Sequence, residues 1–298
     1  MKFGIVFPTY FSFCTKEFML RASRRIEALG YDSIWFPDHL AIPEGGNGYL
    51  PSYEWPEPLT LAAYLAARTE RLRIGWDVLV TPYRSPFLMA KSIATLDLLT
   101  EGRVIVGLGV GHLESEFRGL GIPFAKRGDI TNEYIEIMQA LWTKQRASYS
   151  GSTFTFADLR AEPKPFQKPH PPVWIGGNSP PALRRAARLG QGWHPMHPLP
   201  DELRRGVAAI RAARKEHRRR GPFTFSYSCP WMTLTRAPLG AERTFLSGSL
   251  DQVVGDLREL KSAGCSYAVL RLGRNPKSGR EMMEAVELFG KKGLPLFE

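Results

Sequence analysis

The sequence predicts a single (β/α)8 barrel over residues 1–298, because eight strand-like runs alternate with eight helix-like runs. The strand-like runs are Phe3–Phe7, Ser33–Phe36, Leu72–Val80, Arg103–Leu108, Val173–Gly176, Gly192–His194, Phe223–Thr235 and Ser266–Leu272. The amphipathic runs that follow them end near Leu29, Thr69, Leu99, Trp142, Leu189, Arg220, Ala263 and Phe289. Parallel strands need crossover connections, which strict alternation supplies. Barrels of this kind carry their active sites at the carboxyl ends of the strands, so residues that directly follow a strand are the candidates for chemistry.

Several helix starts carry their own signals. Ser85-Pro86 begins the third helix and Ser179-Pro180 the fifth, because proline suits the first helical position. Ser249 and Gln252 have the spacing of a capping box before the seventh helix. Asp201 is expected to cap the sixth. These signals set the register of strands and helices.

Two irregular segments interrupt the alternation. Residues 143–172 form an insertion between the fourth helix and the fifth strand, with a short β excursion expected around Gly151 and an extended, proline-rich end. Residues 41–58 follow the second strand and hold several glycines and aromatic residues. Their position on the active-site side predicts a lid, in which Tyr49 and Trp55 close over the substrate.

Composition excludes several classes of protein. The chain has no apolar run of the roughly 18 residues that span a bilayer, so no membrane association is expected. It opens in a strand without a signal-peptide cleavage pattern, and its three cysteines have neither disulfide-framework nor metal-site spacing, which predicts a cytoplasmic protein. The net charge of +11 suits an anionic small molecule, such as a phosphorylated or polyacidic cofactor. The basic run 211–220 lacks groove-reading partners and is better explained as a helix carboxyl terminus, so no nucleic acid is expected.

Three motifs follow predicted strands. Asp38-His39 places an acid and an imidazole at the barrel mouth, where they would either act in proton transfer or cap and pack beneath the loop. The glycines at 107, 109 and 111 would either let a planar ligand approach the backbone or serve barrel packing. Gly176, Gly177, Asn178 and Ser179 open a helix, and free amides at a helix start favour a phosphate site over a plain cap.

The segment His194-Pro-Met-His197 invites a metal interpretation, which we reject because no acidic ligand accompanies the two histidines. No metal site is therefore predicted. No serine-centred nucleophile motif and no cysteine–histidine pair stands out, so nucleophilic hydrolysis has little support.

Five segments together resemble the luciferase-like monooxygenase superfamily, and within it the coenzyme F420-dependent oxidoreductases of actinobacterial type. They are Glu27–His39, Arg73–Pro86, Ala90–Asp97, Gly102–Gly111 and Glu162–Ser179. The resemblance runs from residue 1 to about residue 195, and beyond that it lies only in the pattern.

The resemblance implies roles for individual positions. Asp38 and His39 match an Asp-His pair beside the cofactor ring, with His39 bonding to or protonating the reacting region. Asp77-Val78 matches a bulge with a non-proline cis peptide that supports the ring from behind. The ring is lined by Gly109, His112 and Ser115, and its phosphate is bound by Gly176, Gly177, Asn178 and Ser179. His112 stands where sugar-phosphate dehydrogenases of the superfamily carry an acid, which disfavours glucose 6-phosphate as substrate.

We therefore expect F420-dependent hydride transfer to or from a small organic substrate. The alternative is an FMN-dependent monooxygenase that uses oxygen and receives reduced flavin from a partner; a separate flavin or F420 reductase would supply the reduced cofactor. A cofactor-binding protein without turnover and a metal-dependent barrel hydrolase are the other classes considered. The resemblance also implies a homodimer that pairs through helices of the second and third units.

Overall fold

The barrel closes with eight parallel strands. The computed structural model describes residues 1–7, 9, 11–42, 54–273 and 278–298. The strands are β1 (Lys2–Val6), β2 (Ser33–Phe36), β3 (Arg73–Trp76), β4 (Val104–Gly109), β5 (Val173–Gly176), β6 (Gly192–His194), β7 (Thr224–Leu234) and β8 (Tyr267–Leu272). Each pairs in parallel with the next, and β8 pairs with β1, which closes the sheet. The predicted fold class is confirmed.

One helix follows each strand on the outside of the barrel. The helices are α1 (Lys16–Ala28), α2 (Pro58–Ala66), α3 (Pro86–Leu99), α4 (Arg127–Thr143), α5 (Pro180–Leu189), α6 (Pro200–Glu216), α7 (Leu250–Ser262) and α8 (Gly279–Leu288). A further short helix, Glu114–Gly119, lies between β4 and α4. The capping box of Ser249 and Gln252 forms as predicted. The prediction for Asp201 is wrong: Leu199 precedes α6, and its amide is bonded by Glu202.

The inserted segment forms the β excursion expected around Gly151, as an antiparallel hairpin of Ala147–Ser150 with Thr155–Leu159. Phe154 and Phe156 of this hairpin pack edge-on against Phe87 at the start of α3. Residues 160–172 then return to the barrel without regular structure, as their prolines indicate.

Two tryptophans fill the inside of the barrel. Trp35 and Trp174 are almost fully buried, with ring centroids 5.2 Å apart. Gly75 faces Trp35 and Gly192 faces Trp174, and a Cβ on either glycine would overlap the indole ring opposite. The interior is therefore solid, and a ligand has room only above it, at the carboxyl ends of the strands. Among the residues described, no helix is long and apolar enough to cross a membrane.

Candidate active site

A buried histidine–carboxylate pair lies at the mouth of the barrel. His39 follows β2, and its Nδ1 lies 2.9 Å from Oε2 of Glu116, which comes from the short helix after β4. Tyr83 donates its hydroxyl hydrogen to the same oxygen over 2.7 Å. We name His39, Glu116 and Tyr83 the mouth cluster. The carboxylate accepts from Nδ1–H, so the other ring nitrogen, Nε2, is the one available for proton exchange with a bound molecule.

Glu116 is ionised in this setting. Burial raises the pKa of its carboxyl, but the bonds from His39 and Tyr83 and from the amides of Leu40 and Ala41 outweigh burial and hold it below its usual value. A buried carboxylate with four donors also holds the loop after β2 in place. The pair can therefore stabilise a positive charge on the imidazole of His39.

Two more rings border His39. His112 stands edge-on to it with centroids 5.9 Å apart, and the half-buried Trp55 does so at 4.7 Å. Partial desolvation and the neighbouring His39 lower the pKa of His112, which favours its neutral form. The structure thus brings together three of the residues predicted for the site. Tyr49 lies outside the described residues.

Asp38 has different partners from His39. Its two oxygens accept a bidentate pair of bonds from Arg84, at 2.6 and 2.9 Å, and Oδ2 also accepts from the amide of Val80. Arg84 reaches on to Glu57 at the start of α2. Burial raises the pKa of Asp38, and the guanidinium and the amide oppose that rise. Asp38 therefore joins the loop after β2 to Arg84 and to the backbone of Val80.

The backbone that continues from β3 is irregular at the position that the resemblance implied. The Asp77–Val78 peptide is cis, and the chain then re-forms a short strand at Leu79–Val80 beside β4. The methyl groups of Val78 lie against Gly109 and Gly176, where a Cβ would overlap or crowd them. These two glycines therefore make room for Val78, and the packing explanation for Gly109 holds at this position.

The predicted phosphate loop is partly used by the protein itself. Asn178 bonds both the amide and the carbonyl of Met196 through its side chain, which ties the loop to the one after β6. Gly177 has a φ of +103°, a conformation that favours glycine. Pro180 and Pro181 occupy the first turn of α5 and carry no amide hydrogen. The donors for an anion here are thus the amides of residues 177–179, together with the exposed Ser179, whose hydroxyl makes no cap bond. Ser115 is exposed beside Glu116 on the short helix.

A second polar cluster lies deeper, above the tryptophans. Nε2 of His194 donates to Oδ1 of Asp77 over 2.9 Å, and Arg271 donates to Oδ2 over 2.7 Å. We name Asp77, His194 and Arg271 the floor cluster. Burial alone would raise the pKa of Asp77, but the bond from His194 and the charge of Arg271 lower it to about 2. Within the described parts of the chain, no group of three or more side chains could bind a metal ion, and His194 bonds Asp77 instead.

Sequence reasoning assigned no role to Tyr83, Arg84, Glu116 or Arg271. Arg84 and Tyr83 stand inside a quoted motif, so their position after β3 was the available signal. Arg271 lies near the end of an apolar strand, where a charged residue is unusual.

The closed barrel and the polar side chains at its mouth place this protein among the (β/α)8 barrel proteins, whose sites lie at the carboxyl ends of the strands. The sequence profile of luciferase-like monooxygenases matches residues 1–236, so the chain belongs to this family. The family comprises flavin- and F420-dependent oxidoreductases and monooxygenases.

Curated relatives with different cofactors match at similar identity. An uncharacterized protein of Mycobacterium bovis is 34% identical over 217 residues, or 69% of this chain and 74% of the relative. An F420-dependent glucose-6-phosphate dehydrogenase of Microbacterium testaceum is 35% identical over 172 residues, 56% and 48% of the two chains. An FMNH(2)-dependent dimethylsulfone monooxygenase of Pseudomonas putida is 35% identical over 141 residues, 46% and 38% of them. The crystal structure of monooxygenase RslO1 from Streptomyces bottropensis shares the fold, with a TM-score of 0.84, 22% identity and full coverage of both chains.

Proposed function

We propose that this protein is a coenzyme F420-dependent oxidoreductase that transfers hydride to or from a small organic substrate. The observation that carries the proposal is the histidine held at the mouth by an ionised, buried carboxylate, His39 on Glu116. The resemblance assigns the matching Asp-His pair to the cofactor ring in deazaflavin enzymes, and one relative is F420-dependent.

The residues at the mouth fit a planar ring with an anionic tail. Val78 is half-buried on the wall of the mouth, in a cradle that its two neighbouring glycines keep open. It would support one face of the ring, while Gly177, Asn178 and Ser179 offer amides to a phosphate. A net charge of +11 suits a ligand that carries several negative charges.

When bound, a deazaflavin supplies hydride transfer without oxygen, whereas reduced FMN supplies oxygen activation. His39 would hold or deliver a proton at Nε2, next to the reacting atoms, and Glu116 would stabilise the charge on its ring. Trp55 would help to exclude water from the substrate. Asp38 would hold the loop through Arg84.

The second candidate is an FMN-dependent monooxygenase that is supplied by a separate reductase. This second candidate is supported by the FMNH(2)-dependent relative, because that relative matches at the same 35% identity as the F420-dependent one.

The decisive experiment is a titration of cofactor-free protein with F420 and with FMN, in oxidised and reduced forms, followed by fluorescence. We expect micromolar or tighter binding of F420 and much weaker binding of FMN. A preference for FMN would replace the proposal with the monooxygenase, and binding of neither would overturn both. Anaerobic screening of organic substrates then separates an enzyme from a cofactor-binding protein without turnover.

We also propose that the protein is a homodimer that pairs through α2 and α3. Leu88 and Leu99 on α3 are 60% and 75% exposed, which leaves large apolar side chains on its outer side. Light scattering after size exclusion would test this. We expect the mass of a dimer, and the mass of a monomer after Leu88→Asp together with Leu99→Asp.

A further inference from the structure

The floor cluster rests on a solid support. The imidazole of His194 stacks on the indole of Trp35, with centroids 4.9 Å apart and planes inclined by 18°. Trp35 is fully buried, and Trp174 lies beside the same imidazole at 6.1 Å. Asp77 and His194 therefore cannot sink into the barrel, because its interior is filled.

Three separate strand ends meet at one carboxylate. Asp77 directly follows β3, His194 ends β6, and Arg271 lies near the end of β8. The other nitrogen of His194, Nδ1, lies 2.7 Å from Oγ of Ser226 on β7, and that hydroxyl bonds the carbonyl of Trp193. The position of the Asp77 side chain is thus set by three other strands of the barrel.

Asp77 transmits this position to the mouth through its neighbour. Val78 is the next residue, and its side chain lies in the cradle formed by Gly109 and Gly176. The residue that the proposed function places against the cofactor ring is therefore held on one side by the glycine cradle and on the other by the floor cluster.

From this arrangement we infer that His194 and Arg271 are positioning residues that hold Asp77 and thereby set the position of Val78 against the cofactor ring. The inference rests on the proposed function, because it concerns the same cofactor site. Stability alone does not explain the cluster, since well-packed apolar side chains often replace a buried ionic group without loss of stability. A matched set of polar groups instead defines one geometry, which is what a preorganised binding site needs.

The test measures the dissociation constants of F420 and FMN for His194 variants at a temperature well below their thermal midpoints. His194→Phe keeps a ring on Trp35 but removes both nitrogens, and we expect it to weaken binding of the preferred cofactor by about tenfold or more. His194→Gln keeps an amide that can donate to Asp77, so we expect it to restore most of the affinity. His217→Phe changes an exposed histidine on the outer surface and is the matched control.

Arg271→Lys and Arg271→Met form a second pair, which decides the question if His194→Phe does not fold. Arg271→Met should weaken cofactor binding and Arg271→Lys should retain more of it. Folded His194→Phe or Arg271→Met that binds the cofactor as the wild type does would overturn the inference. A wild-type protein that binds neither cofactor would overturn the proposed function, and the inference with it.

A double-mutant cycle separates positioning from a general structural effect. If His194 acts through Val78, His194→Phe should cost much less affinity in a Val78→Ala background than in the wild type. Fully additive losses would show that His194 acts by another route and would overturn the inference. The thermal midpoint of each variant, recorded alongside, does not enter this comparison.

Discussion

The mouth cluster and the floor cluster are built from the same pair of groups and differ in what surrounds them. In each, a histidine nitrogen lies 2.9 Å from the oxygen of a buried carboxylate. His39 has a side-chain exposure of 9% and borders the half-buried Trp55 and the exposed His112. His194 has an exposure of 0% and lies on the fully buried Trp35.

The remaining partners of each carboxylate differ as well. Glu116 is bonded by a hydroxyl and two backbone amides, all neutral, whereas Asp77 is bonded by the guanidinium of Arg271. A neutral set of donors leaves the negative charge of Glu116 to stabilise a proton on His39. A permanent cation already neutralises Asp77. A histidine–carboxylate pair is therefore chemically available or structural according to its third partner and its access to the mouth.

The largest effect should come from His39 at the mouth. His39→Ala removes the group that exchanges a proton, so we expect turnover to fall by about 10²–10⁴-fold with little change in cofactor affinity. The steady-state rate of cofactor oxidation or reduction, with the substrate found by screening, measures it. His217→Ala is the control. Lost cofactor binding in His39→Ala, with no substrate turned over by the wild type, would instead indicate a binding protein.

A substitution in the floor cluster should give the largest loss of stability. Arg271→Met leaves the carboxylate of Asp77 buried without its cation, and we expect the free energy of unfolding to fall by about 3 kcal/mol. Urea unfolding at pH 7 measures the change. Arg280→Met, which breaks an exposed pair with Glu284, should cost less than about 1 kcal/mol. Equal losses in the two variants would contradict the assignment of Arg271 to a buried cluster.

The dependence of stability on acidic pH should show that the pKa of Asp77 differs from that of an ordinary carboxyl group. The pKa of Asp77 is lowered from 3.8 to about 2 in the folded protein, so its ionised form stabilises the fold above about pH 4. This contribution, about 2 kcal/mol, is lost as the pH falls from about 4 towards 2. Asp77→Asn lacks the titrating group. The difference in unfolding free energy between wild type and Asp77→Asn should therefore shrink as the pH is lowered from 5, and a constant difference would contradict the lowered pKa.

The smallest effect should come from Tyr83. Tyr83→Phe removes one of the donors to Glu116 and leaves the others, so we expect a loss of about 1–2 kcal/mol in unfolding free energy. It should also raise the pKa of Glu116 towards its usual value and move the acidic limb of the turnover profile to higher pH. An unchanged limb would indicate that Tyr83 only packs against Phe117, its neighbour at 5.2 Å.

Local patterns in the sequence account for the strands, the helices and the insertion. Proline after serine begins α3 and α5, and the capping box begins α7, because these signals act within one helical turn. The alternation of elements implies the closed barrel, and closure places His39 and the Val78 bulge at one end. The resemblance supplied the position of the cis peptide, which no local pattern of residue types indicates.

The partners of the polar side chains were decided by the tertiary structure. His39 and Glu116 are 77 residues apart, Asp77 and His194 are 117 apart, and Asp77 and Arg271 are 194 apart. Which residues follow a strand, and therefore stand at the mouth, can be predicted from the alternation of strands and helices along the chain. Which of them lie deep enough to need a partner cannot, because that depends on how far the tryptophans fill the closed barrel beneath. Only the closed structure separates the accessible histidine from the buried one, since burial and a third partner are set by elements distant along the chain.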